Sequence, residues 1–357
     1  MRKGYCLLLL FLLPVPAQAA QLPQEVQDAL PPAAEELLTE LGDKAVSAAT
    51  LTEGLALLWE RVCSWAGEVL RQSISGGVLL LGVVLLCALV EACMPDDREK
   101  RRLVPMAGAL AITLIALGSV KSMMGLGLET VEELNVFSKA LLPTLCAAVA
   151  AGGGVVSASV RQVATVFFAD LLLSLIHGLL LPLVYVYVAA AAADAMLPEQ
   201  RLGALARAIR KGIVLLLTGA LALFTLYLSL SGAVASSADS LTLRLAQGAV
   251  GALPVVGSIL SDAAASVLAG AGAVKNTVGV LGLLAVLALC LLPLLRLGAQ
   301  YLLYKLSAFL AGLLGSRALT DLIDDLGGAF GLILGMTGAC GLLLLISIAS
   351  AMGVVSG

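Results

Sequence analysis

Several stretches of this chain run for about 18 or more residues with almost no charged side chain, and they limit the fold more than any other feature. Residues 76–94, 277–295 and 329–352 are examples. A helix of about 20 apolar residues matches the thickness of the hydrocarbon core of a bilayer. The runs are continuous rather than alternating, which argues against a membrane β-barrel. With 60% hydrophobic and 13% charged residues, the sequence predicts an all-α, polytopic helical membrane protein.

The predicted membrane region contains about six full spans and two partial segments. The full spans are residues 76–94, 103–120, 164–193, 212–231, 277–295 and 329–352. The partial segments are Ala140–Val160 and the stretch that begins GALPVVGSILSD at residue 251. The helix-breaking residues of the membrane region are Pro143, Pro182, Pro254, Gly257 and Pro293. Lipid cannot satisfy the backbone groups that such residues free, so we expect both partial segments to be re-entrant; eight full spans are the alternative.

Basic residues set the predicted orientation. The loop PDDREKRR (residues 95–102) follows the first span, and the positive-inside rule places it in the cytoplasm. The basic helix EQRLGALARAIRK (residues 199–211) lies in the cytoplasm if Ala140–Val160 is re-entrant, and outside if that segment crosses fully. The charge rule favours the re-entrant interpretation. Residues 121–139, which contain three glutamates, are then expected to form a helix on the outer surface.

The N-terminal region has the pattern of an export signal. Residues 1–19 combine two basic residues, an apolar core and an Ala-Gln-Ala end, and they predict a signal peptide; a short uncleaved anchor is the alternative. Residues 20–75 are predicted to form an acidic, extracytoplasmic helical segment. The remaining domains are predicted to be a first membrane helix pair with its outer surface helix (76–139), membrane repeat 1 (140–235) and membrane repeat 2 (236–357).

Two pairs of prolines indicate a possible two-fold internal repeat. LLPTL contains Pro143 and ALPVV contains Pro254, while LLLPL contains Pro182 and CLLPL contains Pro293. The members of each pair are the same 111 residues apart. Matching Gly/Pro-broken segments in two halves are typical of transporters, where they line the pathway. Chance likeness between Leu-rich helices is the alternative.

Charged side chains at membrane depth are costly, so those predicted there are candidate functional residues. Asp170 and His177 are seven residues apart and share one helix face, as a proton or cation relay would require. In the alternative, Asp170 lies near the interface and His177 bonds a neighbouring carbonyl. A second group, near the second partial segment, comprises Asp239, Arg244, Asp262 and Lys275. These four either pair with one another as structural ion pairs or line an aqueous path.

No motif for catalysis, cofactor binding or metal binding stands in a suitable context in the sequence. A single histidine excludes a multi-histidine metal centre, and none of the seven cysteines forms a CxxC pair. GxSxG, HExxH and P-loop motifs are absent. A net charge of -3 and 4% aromatic residues give no indication of nucleic-acid binding. We therefore expect no enzyme activity, no cofactor, and the lipid bilayer as surroundings.

Residues 232–282 carry a likeness to a known family. The matching features are ADSLTLRLA (238–246), LPVVGSILSDA (253–263) and VKNTVGVLG (274–282). They resemble the stage III sporulation protein AE family of endospore-forming bacteria. The signal peptide, acidic outer segment and multi-span region agree with that family, whereas Gln247 and an alanine near Ala265 depart from its charge pattern.

The resemblance implies a multi-pass, permease-like subunit of the transenvelope channel between mother cell and forespore, needed for spore development after engulfment. It implies ring-forming proteins and an ATPase subunit as partners. It also implies that the protein is located in the mother-cell-derived outer forespore membrane. Two alternatives remain open: a stand-alone, ion-coupled secondary transporter of a small solute, and a scaffold whose spans only anchor partners.

Overall fold

A computed structural model describes residues 48–93, 98–197, 202–251, 257–314 and 317–353. The described residues form helices and short turns, with no strand among them. The predicted signal peptide, the predicted acidic segment as far as residue 47, and Pro254 lie outside the described residues. Only the helical backbone is described at Arg244 and Asp262.

Long helices account for almost all of the described chain. In chain order they are α1 Ala48–Cys93, α2 Arg98–Ala151, α3 Val155–Leu175, the π-helical segment Ile176–Leu180, α4 Leu181–Met196, α5 Gly203–Gly251, α6 Gly257–Leu313 and α7 Arg317–Gly353. α3, the π-helical segment and α4 follow one another without a break and form one rod. Six helical rods in this part of the chain are long and apolar enough to cross a membrane. The predicted fold class, an all-α polytopic membrane protein with six spans, is confirmed.

α7 lies at the centre of the bundle. It contacts α2, α3, α4, α5 and α6, and 61% of its most apolar window is buried, against 17% for α5. Its sequence GLILGMTGACG places small residues where neighbours approach. A Cβ built on Gly341 would lie 2.9 Å from the sulfur of Cys290, so a larger residue here would require the Cys290 side chain to move. Small residues at such contacts are the usual means of packing membrane helices, because lipid supplies no hydrophobic driving force between them.

α2 is one continuous helix, and this corrects the predicted boundaries. Residues 103–120, 121–139 and the first part of Ala140–Val160 all belong to it. Its 54 residues extend about 80 Å. Val131, Leu134 and Phe137 recur at helical spacing and are buried in the core. Residues 121–139 therefore pack within the bundle along one face, and the predicted separate surface helix is wrong.

Glycine, rather than proline, ends α2. Gly153 has a φ of 92°, which favours glycine, and the N–H of Gly154 donates to the carbonyl of Val149 at 3.0 Å. The predicted partial segment Ala140–Val160 is thus divided between the end of α2 and the start of α3. Pro143 lies inside α2 and Pro293 inside α6, so neither ends a helix, in contrast to the prediction. Neighbouring helices make such prolines tolerable in membrane proteins.

Pro182 is the second residue of α4, one residue after the end of the π-helical segment. A proline ring clashes with the carbonyl four residues earlier, and a widened π turn relieves that clash. The two members of this proline pair therefore lie in different local structures, since Pro293 lies in regular α-helix. Pro254, the counterpart of Pro143, lies outside the described residues. The internal repeat stays a prediction.

The charged part of α2 lies at the same height along the bundle as the exposed apolar surface of α5. Asn135 of α2 donates to Asp170 of α3, and the nearby Phe168 packs on Phe224 of α5 with ring centroids 5.3 Å apart. Exposed apolar side chains of α5 flank that height: Val214, Leu215, Leu216, Leu223, Leu226 and Leu230. At the same height α2 exposes Glu129, Glu132 and Glu133. Lipid cannot cover these carboxylates, so we infer that water reaches this face of α2.

Thiol labelling tests this difference between the two faces. In a cysteine-free background, Glu133→Cys is expected to react with a hydrophilic maleimide more than about tenfold faster than Leu223→Cys, because the reactive thiolate forms in water. Leu223 is the matched control, since it is 62% exposed and one residue from Phe224. The reaction is measured on protein in membranes. Equally slow labelling at both positions would contradict the inference.

Candidate functional site

A cluster of buried polar groups lies where α2 turns into α3 and where α7 ends. We call it the polar cluster, and it consists of Ser157, Arg161, Thr165, Asp239, Lys275, Ser347 and Ser350. Its members come from α3, α5, α6 and α7. Two of them, Asp239 and Lys275, are residues that the sequence singled out.

Asp239 caps the N-terminus of α3 from a different helix. One carboxylate oxygen accepts from the N–H of Val156 at 2.9 Å and the other from the N–H of Ser157 at 3.0 Å. Gly154, which precedes α3, has no side chain to do this. The first N–H groups of a helix have no intrahelical partner and carry partial positive charge, so a buried carboxylate stabilises them. This contact holds α5 against the start of α3.

Lys275 makes the converse contact at the end of α7. Its side chain is 2% exposed, and its Nζ donates to the carbonyl of Met352 at 2.7 Å. Carbonyl groups in the last turn of a helix are unpaired and carry partial negative charge, which favours a cation. Because α7 ends at Gly353, Lys275 holds the end of that helix to α6.

Arg161 and Thr165 extend the polar cluster along α3. Nη1 of Arg161 donates to Oγ of Ser350, and the hydroxyls of Thr165 and Ser347 are hydrogen-bonded. Arg161 is 7% exposed. Sequence reasoning missed this residue. The signal was present as Ser157, Arg161 and Thr165, which are spaced by four and form a polar stripe on one helix face.

Of the four predicted charges near the second partial segment, the structure describes the side chains of Asp239 and Lys275, and pairing that involves the other two stays a prediction. Asp239 and Lys275 both bind backbone groups. Asp262 and Lys275 lie on the same helix thirteen residues apart, a rise of about 20 Å, which excludes a direct ion pair between them. Arg244 lies on α5, and its side chain is outside the described part of the structure.

Asp170 and His177 both face α2, and each has its own partner there. Asp170 forms an ion pair with Lys139 at 2.9 Å and accepts from Asn135 at 3.2 Å. His177 lies in the π-helical segment, with Nε2 3.4 Å from Glu132. The four side chains of these two contacts are 43% to 55% exposed, so the contacts contribute little to stability. Their common face agrees with the sequence interpretation, whereas the relay stays a prediction.

A second polar group lies at the opposite end of the bundle, where α4 meets α7. The hydroxyl of Tyr187 donates to the backbone carbonyl of Asp325 at 2.8 Å and lies 3.1 Å from its carboxylate. Lys305 of α6 forms an ion pair with Asp324 at 2.6 Å. The segment RALTDLIDDLGG, which contains both of these aspartates, is the first part of α7. Polar contacts therefore hold α7 at both of its ends.

A small cavity lies inside the described bundle. A cavity of about 10 Å³ lies between α2, α3 and α7, beside Asn135 and Ser138. That volume holds about one water molecule, and small-molecule sites are typically about 300 Å³ or more. No group of three His, Cys, Asp or Glu residues that could hold a metal ion occurs among the residues searched. Within the described chain, the buried polar groups hold helix ends together.

The fold and these contacts define a class: a polytopic helical membrane protein whose buried charges bind the ends of its own helices. The chain belongs to the stage III sporulation protein AE family, whose model matches residues 44–355. The resemblance seen in the sequence is thereby confirmed. This is a multi-pass membrane protein of sporulation.

One relative is the stage III sporulation protein AE of Bacillus subtilis (strain 168). It is 27% identical over 216 residues, which cover 60% of this chain and 54% of that protein. The chain therefore spans about half the length of this relative. No solved structure matches the chain.

Removal of the Asp239 cap is expected to destabilise the bundle. Asp239→Ala leaves two buried N–H groups of α3 without a partner, and the expected loss is about 1–2 kcal/mol of unfolding free energy. Thermal unfolding in detergent measures it. Asp321→Asn, at an exposed position of α7, is the control and is expected to unfold like the wild type. Equal stability of Asp239→Ala and wild type would show that the cap is dispensable.

Proposed function

We propose that this protein is a permease-like membrane subunit of the sporulation transenvelope channel between mother cell and forespore. The observation that carries the proposal is the family match over residues 44–355, which includes all of the described helices. The family is a sporulation component rather than a known class of enzyme, and we propose a non-catalytic role. The proposed location is the mother-cell-derived outer forespore membrane.

The architecture supports a role as a firmly held membrane subunit. The motifs ADSLTLRLA and VKNTVGVLG, on which the sequence resemblance rests, contain Asp239 and Lys275. In the structure these two side chains fix the start of α3 and the end of α7. We propose that these residues maintain the bundle that ring-forming proteins and an ATPase subunit of the channel contact.

The alternative function, a stand-alone ion-coupled transporter, has less support. It needs Asp170 and His177 to face a pathway through the chain. In the structure both side chains contact α2 at a half-exposed surface instead. The cavity beside Asn135, the hydrogen-bond partner of Asp170, has room for about one water molecule.

A chromosomal deletion tests the proposed function. Vegetative growth is expected to be normal, and spore formation is expected to stop after engulfment, as counted by heat-resistant spores and by microscopy. The wild-type gene is expected to restore spores. Asp321→Asn should restore them as well, whereas Asp239→Ala should restore fewer because its bundle is weakened. Unimpaired sporulation in the deletion strain would overturn the proposal.

A further inference from the structure

The polar cluster contains two buried cations. Arg161 is 7% exposed and Lys275 is 2% exposed. A buried charge is normally paired with an opposite charge, because removing it from water is costly. The partners of these two cations in the described chain are neutral: Ser350 Oγ for Arg161 and the Met352 carbonyl for Lys275.

The two cations are also close to each other. Their partners, Ser350 and Met352, are two residues apart on α7, within one helical turn. Both partners belong to the last turn of α7, so the two cations converge on the same helix end. A pair of buried like charges therefore lies between α3, α6 and α7, and each cation makes burial of the other more costly.

No carboxylate of the described chain neutralises this pair. Asp239 is nearby, but its two oxygens are bound to the N–H groups of Val156 and Ser157. Arg161 and Lys275 form no ion pair with any described residue. Asp262 is about 20 Å from Lys275 along the axis of α6. The polar cluster thus has two positive charges and one negative charge.

Two hydrogen-bond donors in the polar cluster are buried and have no partner in the described structure. They are Nε of Arg161 and the hydroxyl of Ser157. The two residues are one turn apart on α3, and helical side chains lean toward the N-terminus, so both donors lie on the same face.

We propose that the polar cluster is a binding site for a phosphate group, held by Arg161, Lys275 and Ser157. A phosphate accepts hydrogen bonds from a guanidinium, an ammonium and a hydroxyl together. Its negative charge also offsets the excess positive charge of the polar cluster. The site lies near the ends of the apolar rods rather than at their middle, and lipid headgroups flank the hydrocarbon core of a bilayer. The phosphate group belongs either to a phospholipid headgroup or to a soluble phosphate.

Thermal unfolding of the full chain, purified in neutral detergent and stripped of lipid, tests the proposal. Inorganic phosphate and short-chain phosphatidylglycerol are titrated separately, with chloride and acetate at equal ionic strength as comparisons. At least one phosphate-bearing probe is expected to raise the unfolding temperature saturably, because a ligand of the folded state stabilises it. A response to phosphatidylglycerol alone identifies a headgroup site, and a response to inorganic phosphate identifies a soluble-phosphate site.

Variants separate the site from general ionic effects. Lys275→Met is expected to abolish the saturable response. Arg161→Lys is expected to weaken the apparent affinity for the phosphate-bearing probe by about tenfold or more, since lysine lacks the planar guanidinium that can donate two hydrogen bonds to one phosphate. Lys305→Met is the control, because Lys305 pairs with Asp324 at the other end of the bundle, and it is expected to respond like wild type.

Native mass spectrometry of the wild type gives a second readout that needs no variant. Retention of phosphate or phospholipid by the wild-type chain is expected. The proposal is overturned if neither phosphate-bearing probe stabilises the wild type more than chloride and acetate do, or if the response persists in Lys275→Met. It is also overturned if a folded Arg161→Lys binds as tightly as wild type.

Discussion

A helix that ends inside a packed membrane bundle has terminal N–H or C=O groups without an intrahelical partner. The need to supply hydrogen-bond partners for these groups governs the structure. Asp239 satisfies it at the start of α3 and Lys275 at the end of α7. Each contact joins two helices that are distant in the sequence. Close apolar packing holds the rods together along their length, whereas these polar contacts fix where each rod begins and ends.

The number of spans could be predicted because long apolar runs leave few alternatives. The course of α2 could not be predicted in the same way. Glu129, Glu132 and Glu133 in residues 121–139 indicated a helix outside the membrane, yet Val131, Leu134 and Phe137 on the opposite face bury that part of α2 in the core. A charged face and a buried face can belong to one helix, and the mean hydropathy of the segment does not show this.

The polar residues were found more reliably than their partners. Asp239 and Lys275 attracted notice as charges among apolar residues, but their partners are backbone groups, which have no signature in a sequence. Asp170 and His177 were correctly placed on one face, while Lys139 and Glu132 could be identified only once α2 was known to run beside them. Arg161 lay between the predicted partial segment Ala140–Val160 and the span predicted over residues 164–193, so its burial was missed.

The π-helical segment at Ile176–Leu180 has a consequence for the rod formed by α3 and α4. A π turn accommodates about one extra residue, which changes the angular position of everything after it by about 100°. With that change, Arg161 near one end and Tyr187 near the other both meet α7, at Ser350 and Asp325. The rod is thereby held at two points against the same neighbour and is prevented from turning about its own axis.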